Sequence, residues 1–308
     1  MHKKCAKREM EDVAGEIWHV YSDGALTENP FDSDEDKVYA WNSIAISAES
    51  AGVKVLVATV TGKELHAMVR SEEEGEKGEE EVRRFKTALQ RRVNNCRRTG
   101  REWAEGGYIE RKHFACSRIS TRKEALQKFM YVYRICMDSY RKMPGEYPWG
   151  SGNIYFSEPK TRPACSRMGD FTVRERLLLF GSRKKLPEEW LVDTGGRILP
   201  ESFIDYSYVE RLFRTARTFI AFLHIRREDE AALKQEIHRN YLESRSFQDL
   251  RKIGNEYCVR YCGKTLVKVD VRIRLAIAAK MVREDIAGRT ASLAKALLLQ
   301  EDDLAKIG

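Results

Sequence analysis

The chain has 308 residues, 42% of them hydrophobic, and this excludes a generally disordered protein because a core can be packed. The 55 Lys and Arg outnumber the 47 Asp and Glu, and the resulting net charge of +8 favours polyanionic partners such as DNA or RNA. Seven scattered cysteines fit a reducing compartment, and without a signal peptide or a long apolar run we expect no membrane association.

The first half of the chain predicts strands alternating with helices, after a flexible tail at residues 1–14. The predicted strands are 17–22, 53–60, 64–69 and part of 108–119, and the predicted helices are 34–50, 82–98 and one that begins after Ser120 or Thr121. The acidic run at 71–81 is typical of a solvated loop. This order predicts an α+β domain over residues 15–156, with a ferredoxin-like antiparallel sheet and helices on it.

From residue 157 to residue 308 the chain predicts an all-α C-terminal extension made of short helices. Its last part, at about 270–308, has the spacing of a helix-turn-helix unit. A small helical bundle without a DNA-binding function would have the same pattern, so both interpretations stay open.

The predicted helix at 82–98 is strongly basic. Residues 83–101 contain eight Lys or Arg and no acidic residue. A charged surface helix is often only solvated, but a stretch of a single sign favours contact with phosphates. The residues predicted to contact DNA are Arg83, Arg84, Lys86, Arg91, Arg92, Arg97 and Arg98.

The sequence Glu64-Leu65-His66 is a candidate metal site. Residues i and i+2 of a strand point to the same side of a sheet, so the carboxylate and the imidazole converge. Such a pair suits a divalent cation such as Mg²⁺ or Mn²⁺. The alternative is an ordinary surface pair beside a hairpin turn.

The stretch from Phe129 to Trp149 carries the candidate nucleophiles. A tyrosine hydroxyl has a reference pKa of about 10 and needs a nearby cation or base to attack a phosphorus atom. Tyr131 and Tyr133 are two residues apart on the predicted helix and cannot both face the sheet. Periodicity alone prefers neither.

Together, these segments resemble the REP-associated tyrosine transposases, which are single-tyrosine HUH nucleases related to insertion-sequence transposases. The resemblance covers residues 15–156 and is carried by IWHVYSDG, VLVATVTGKELHAMV, the basic helix and FMYVYRICMDSYRKMPGEYPWGS. Its most specific part is the Tyr-Pro-Trp-Gly-Ser sequence at 147–151.

The resemblance implies an activity. Members of this family bind a DNA hairpin and cut an adjacent single strand, forming a 5′-phosphotyrosine and releasing a 3′-hydroxyl. Carried over by position, Tyr131 is the nucleophile, Glu64 and His66 hold Mg²⁺ or Mn²⁺, and the basic helix contacts the DNA backbone. We therefore expect a bacterial cytoplasmic, nucleoid-associated transposase, and a homodimer is left open.

Two departures from the family pattern leave other functions open. Glu64 replaces the first histidine of the HUH pair, and Ile135 stands where the family has a metal-binding Asn, for which Gln127 or Asp138 could substitute. The alternatives are a catalytically impaired protein that binds hairpin DNA and a regulator that binds DNA through its C-terminal helices. An RNA-binding module is less favoured, because the strands lack an RNP-like aromatic pair.

Overall fold

The computed structural model describes residues 16–22, 30–95, 114–157, 164–182, 185–224, 247–284, 286–288 and 290–304. The chain divides into two compact units, residues 1–230 and residues 231–308. The predicted boundary at residues 156/157 therefore lies inside the first unit. The predicted tail at 1–14 and residues 225–246 of the predicted helical extension lie outside the described residues.

The first unit is built on a four-stranded antiparallel sheet with the strand order β2-β3-β1-β4. The strands are β1 (Glu16–Ser22), β2 (Lys54–Val60), β3 (Leu65–Ser71) and β4 (Phe114–Ile119). Three helices accompany it: α1 (Asp34–Ala51), α2 (Glu76–Asn95) and α3 (Arg122–Tyr140). The predicted α+β class is thereby confirmed.

Local sequence sets where these helices begin and end. Ser33 forms a capping box with Asp36 at the start of α1, and Gly52 ends that helix with a φ of 82°. At the start of α3, the side chain of Thr121 accepts a hydrogen bond from the backbone N–H of Glu124. Thr121 is thus the cap, out of the two residues that the sequence offered.

Helix α2 begins at Glu76, six residues earlier than predicted, so the acidic run is in part helical. Acidic side chains are favourable in the first turn of a helix, because they complement its positive end. At Gly78 a Cβ atom would lie 2.4 Å from the carbonyl oxygen of Glu73, which explains a glycine inside this helix. The expectation of a loop over the whole run was therefore wrong.

The sheet carries α3 on one face and α2 on the other. Because His19 and Tyr21 alternate with Trp18 along β1, they share one face. On that face the hydroxyl of Thr59 donates to the carbonyl of Val132 in α3 at 2.7 Å. On the opposite face Ser71 donates to Glu81 of α2 at 2.7 Å, and α1 packs beside α2.

The described part of the extension inside the first unit is mixed in structure. Its elements are β5 (Cys165–Arg167), α4 (Val173–Phe180), β6 (Leu191–Asp193), α5 (Tyr206–Phe213) and α6 (Ala216–Leu223). Strands β5 and β6 pair as a small antiparallel sheet. The all-α extension that we predicted is therefore wrong in this part, since three-residue strands are too short to leave a periodic pattern.

The extension is tied to both sides of the sheet. On the α1 side, the indole N–H of Trp41 donates to the carbonyl of Ile198 at 2.8 Å. The Asn42 amide donates to the carbonyl of Gly196 and accepts from the N–H of Ile198. The chain then passes β2, where the N–H of Asp205 donates to the carbonyl of Val55 at 2.8 Å. Helices α5 and α6 follow and pack on α3.

The Tyr-Pro-Trp-Gly-Ser sequence and the residues just after it cover the edge of β2. The hydroxyls of Tyr147 and Tyr155 donate to the carbonyls of Val60 and Leu56 at 2.7 and 2.6 Å. The hydroxyl of Ser151 accepts from the N–H of Ala58 at 2.9 Å. These contacts pair backbone groups that an exposed edge strand would offer to other chains.

The second unit is helical over its described residues. It contains α7 (Phe247–Cys262), α8 (Val271–Arg283), α9 (Ala291–Ala296) and α10 (Glu301–Leu304), around a core that includes Cys258, Met281, Leu293 and Leu297. Helices α8 to α10 lie where we predicted a helix-turn-helix unit. No helix of the described residues, in either unit, is long and apolar enough to cross a membrane.

Candidate active site

The sheet face under α3 brings together the predicted Tyr131 and His66 and one residue that we did not predict, His19. The ring centroid of Tyr131 lies 5.6 Å from that of His66 and 6.4 Å from that of His19, edge-on in both cases. Tyr131 is 8% exposed, His66 2% and His19 0%. The three side chains therefore form one buried cluster, called the His–His–Tyr cluster below.

Glu64 lies at the rim of the His–His–Tyr cluster. Its carboxylate oxygen Oε2 is 3.4 Å from Nε2 of His66, and its side chain is 27% exposed. Glu64 directly precedes β3, so the predicted convergence of the two side chains is observed. The cluster is thus accessible to solvent at its Glu64 end.

A divalent cation fits this pair by the nature of its atoms. Nε2 of His66 is buried and makes no hydrogen bond to any described residue, although it faces the Glu64 carboxylate. An imidazole nitrogen and a carboxylate oxygen are both ligands for Mn²⁺, and the oxygen also suits Mg²⁺. Within the described residues, however, no group of three or more His, Cys, Asp or Glu side chains could hold a metal.

His19 holds the imidazole of His66 from the other side. Nε2 of His19 is 3.0 Å from Nδ1 of His66, so the N–H of one ring donates a hydrogen bond to the unprotonated nitrogen of the other. Burial lowers the pKa of His19 well below its usual range, and the neighbouring His66 and Lys128 lower it further. His19 is therefore neutral at physiological pH and has one nitrogen free of a proton.

A lysine lies beneath His19. Lys128 is fully buried, and its Nζ donates to Oε1 of Glu124 at 2.7 Å and to the Ser117 hydroxyl at 3.5 Å. The pairing with Glu124 compensates part of the free energy of burying the ammonium group. The positive charge disfavours a second proton on the neighbouring imidazole.

The structure separates the two candidate tyrosines. The hydroxyl of Tyr133 donates to the carbonyl of Gly152 at 3.0 Å, and its ring packs against Phe129 and Tyr155. Burial raises the pKa of Tyr133. Of the pair, Tyr131 is thus the one whose ring contacts His19 and His66, which periodicity alone could not decide.

The family pattern places a third metal ligand at position 135, and Gln127 or Asp138 were considered as substitutes. Ile135 is buried and offers no ligand atom, Gln127 is half-buried and Asp138 is exposed. Among the described residues, no further His, Cys, Asp or Glu side chain joins Glu64 and His66 as a third ligand.

The predicted DNA-binding arginines lie on the other side of the sheet. Three of the cations on α2 are already engaged: Arg83 pairs with Glu80, Arg84 pairs with Glu81 at 3.7 Å, and Arg92 donates to the carbonyl of Phe180. Lys86 is half-buried and Arg91 is exposed. Arg97 and Arg98 lie outside the described residues.

Comparisons with protein-family models, with curated proteins and with solved structures found no match. The inference about function therefore rests on the geometry of the His–His–Tyr cluster and Glu64. Sequence reasoning missed His19, although a histidine in the middle of an otherwise apolar strand was a usable signal. A buried imidazole usually has a partner, and here that partner is contributed by β3.

Proposed function

We propose that this protein is an HUH-type nuclease and strand transferase, similar to the REP-associated tyrosine transposases, that acts on single-stranded DNA beside a hairpin. The observation that carries the proposal is the contact between Tyr131 and His66 on one sheet face, with Glu64 beside them. The strand order, with α1 and α2 on one face and α3 on the other, supports a ferredoxin-like HUH domain.

In this proposal Tyr131 is the nucleophile. Its phenol oxygen loses a proton and forms a bond to the phosphorus, while the bond from phosphorus to the 3′-oxygen breaks. The 3′-oxygen takes up a proton and leaves as a hydroxyl, and the 5′ end stays on Tyr131 as a phosphotyrosine. Reversal of these steps on a second 3′-hydroxyl joins two strands without an external energy source.

Glu64 and His66 would hold the divalent cation, Mg²⁺ or Mn²⁺. When bound, such a cation stabilises negative charge on the non-bridging phosphate oxygens. His19 would orient the imidazole of His66. If its Nε2 accepts a hydrogen bond from the Nδ1–H of His66, the lone pair on Nε2 of His66 is directed at Glu64. His19 is thus a positioning residue in this proposal.

The test is covalent capture of DNA. The protein is incubated with Mn²⁺ and hairpin oligonucleotides that carry single-stranded flanks, and adducts are separated on a denaturing gel. We expect an adduct that disappears in Tyr131→Phe and persists in Tyr133→Phe, the matched control on the same helix. An adduct that survives Tyr131→Phe would rule out this nucleophile.

A second function is favoured by one specific observation. Because Ile135 is buried where a metal-binding amide is expected, the cation would have only two protein ligands among the described residues. The second candidate is therefore a protein that binds hairpin DNA without cutting it. Hairpin binding by the wild-type protein with no adduct in Mn²⁺ or Mg²⁺ would favour this function.

A further inference from the structure

Helix α3 ends at Tyr140, an exposed tyrosine beside the rim of the His–His–Tyr cluster. Its hydroxyl accepts a hydrogen bond from the N–H of Gly62 at 2.7 Å. Gly62 lies in the turn between β2 and β3 that also contains Glu64, and the N–H of Thr61 donates to the carbonyl of Glu64 at 2.8 Å. Tyr140 is therefore held against the same turn that presents Glu64 at the solvent-accessible end of the cluster.

The ring of Tyr140 is fixed by stacking as well as by its hydroxyl. It stacks on the ring of Tyr147, with the two centroids 5.2 Å apart and an angle of 23° between the planes. Tyr147 is buried, its hydroxyl donates to the carbonyl of Val60, and Trp149 packs edge-on against its ring at 5.5 Å. The Tyr-Pro-Trp sequence thus supports one face of the Tyr140 ring from behind.

Tyr140 nevertheless exposes 39% of its surface. Because Tyr147 covers one face of the ring, the exposed part lies on the remaining face and edge. A ring that is already immobilised loses little rotamer entropy when a planar partner stacks on it. Nucleobases are such partners, and proteins that bind single strands commonly stack the bases on exposed aromatic side chains.

Two cations follow the ring. Arg141 and Lys142 are both exposed. Arg141 has a φ of 54°, in the left-handed region that favours glycine because a Cβ atom costs free energy there. The end of the helix uses only its backbone N–H, which donates to the carbonyl of Met137 at 3.0 Å. Glycine would serve that end as well, so the arginine side chain is not required by the helix.

The separation between Tyr140 and Tyr131 matches a short length of single strand. Tyr140 lies nine positions after Tyr131 on α3, which corresponds to about 14 Å along the helix axis. A stacked strand advances by about 3.4 Å per nucleotide, so about four nucleotides span this distance. One strand can therefore reach from the hydroxyl of Tyr131 to the ring of Tyr140.

We propose that Tyr140 stacks on a base of the single strand, a few nucleotides from the scissile phosphate, while Arg141 and Lys142 contact the phosphates beside that base. This inference rests on the proposed function, which supplies DNA as the nucleic acid and Tyr131 as the place of cleavage. It adds a binding site for the single strand that lies at the end of α3 and is separate from the basic helix α2.

The test measures stacking directly and without cleavage. Hairpin oligonucleotides with a single-stranded flank carry 2-aminopurine at one flank position at a time, and EDTA prevents metal-dependent cutting. Quenching of the 2-aminopurine fluorescence reports stacking of that base, and anisotropy of a dye on the stem reports affinity. Tyr140→Ala, Tyr140→Phe and Tyr140→Trp are compared with Tyr206→Ala, a matched control at a tyrosine of α5 that is 41% exposed. Circular dichroism checks that each variant is folded.

We expect the wild type to quench one flank position strongly, and Tyr140→Ala to lose this quenching and to bind the flanked hairpin roughly tenfold more weakly. Tyr140→Phe and Tyr140→Trp should retain both properties because each keeps an aromatic ring, and Tyr206→Ala should behave as wild type. Affinity for a blunt hairpin without a flank should not change. Wild-type quenching in Tyr140→Ala, an equal loss of affinity for the blunt hairpin, or no binding of the flanked hairpin by the wild type would overturn the proposal.

The cations are tested with a variant that does not weaken the fold. Arg141→Gly removes the side chain at a position where glycine is favoured, so the protein should unfold at the same or a higher temperature. The slope of log Kd against log salt for the flanked hairpin should nevertheless fall by about 0.7, the value for one phosphate contact of a single strand. Lys142→Ala should reduce the slope similarly. An unchanged slope in both variants would contradict the phosphate contacts.

Failure of the cleavage proposal gives a different result from failure of this one. If the wild type forms no adduct in Mn²⁺ but Tyr140→Ala still loses the quenching, the stacking site is supported and the nuclease is not. If the wild type forms the adduct and Tyr140→Ala quenches as strongly as the wild type, the stacking proposal is wrong and the nuclease is supported.

Discussion

The two faces of the four-stranded sheet are each covered by helices, yet they bury different chemistry. The face under α1 and α2 buries apolar side chains such as Trp18 and Val20. The face under α3 buries His19 and His66, and α3 itself adds the buried Lys128. Burial of polar and charged groups lowers stability unless they are paired, so the second face carries groups that packing alone does not require. This contrast is what assigns the candidate site to the α3 face.

This contrast between the two sheet faces predicts that substitutions on the apolar α1/α2 side cause the largest loss of stability. Trp41 is fully buried in α1, packs on Phe203 and donates its indole N–H to the extension. We expect Trp41→Ala to lower the free energy of unfolding by about 3–5 kcal/mol. Urea denaturation followed by circular dichroism measures it. Trp149→Ala, at a half-buried position, should lower the free energy of unfolding by clearly less. Equal losses in the two variants would show that the buried contacts of Trp41 do not carry the larger stabilisation.

A smaller effect is expected at the covered edge of β2. The hydroxyl of Tyr155 donates to the carbonyl of Leu56 at 2.6 Å, and both residues are buried. In Tyr155→Phe that carbonyl loses its donor, which should lower the free energy of unfolding by about 1–3 kcal/mol. Tyr140→Phe is the control, because the hydroxyl of Tyr140 is bonded at the surface and its loss should cost about 0.5 kcal/mol or less. A reversed order of the two losses would show that the edge contacts are dispensable.

The smallest effect is a pH dependence on the α3 face. His19 has a lowered pKa in the folded protein, so below about pH 6.5 the unfolded chain binds a proton there that the folded chain does not. Its contribution to stability is present above that pH and falls as the pH decreases, by at most about 1.4 kcal/mol per pH unit. Unfolding of wild type and His19→Asn is compared between pH 5 and pH 7.5. The wild type should lose more stability on acidification, and parallel curves would contradict the prediction.

Much of the architecture could be predicted from the sequence. The β-branched run of β2 and the caps of α1 place those elements to within one or two residues. The start of α2 was missed because two glycines among seven glutamates resemble a loop. In the structure the missing Cβ of Gly78 leaves room for the carbonyl of Glu73, and the helix begins at Glu76. Strands β5 and β6 were missed because pairing between distant segments, not local pattern, creates them.

The candidate site was only partly predictable, because it depends on contacts across the sheet. Glu64 and His66 converge through the two-residue period of one strand, which a sequence displays directly. His19 joins them from β1, 47 positions away, through the register between strands. The choice of Tyr131 over Tyr133 likewise needed the direction in which α3 faces the sheet.

The bond between Thr59 and Val132 has a mechanical consequence. It ties the middle of α3 to β2 one residue beyond Tyr131, and Thr59 is itself 1% exposed. A helix clamped at that point resists sliding along its axis or swinging away from the strands. In the proposed mechanism, an exchange of strands at Tyr131 would therefore require the DNA to move, because the helix that carries Tyr131 is held in place against β2.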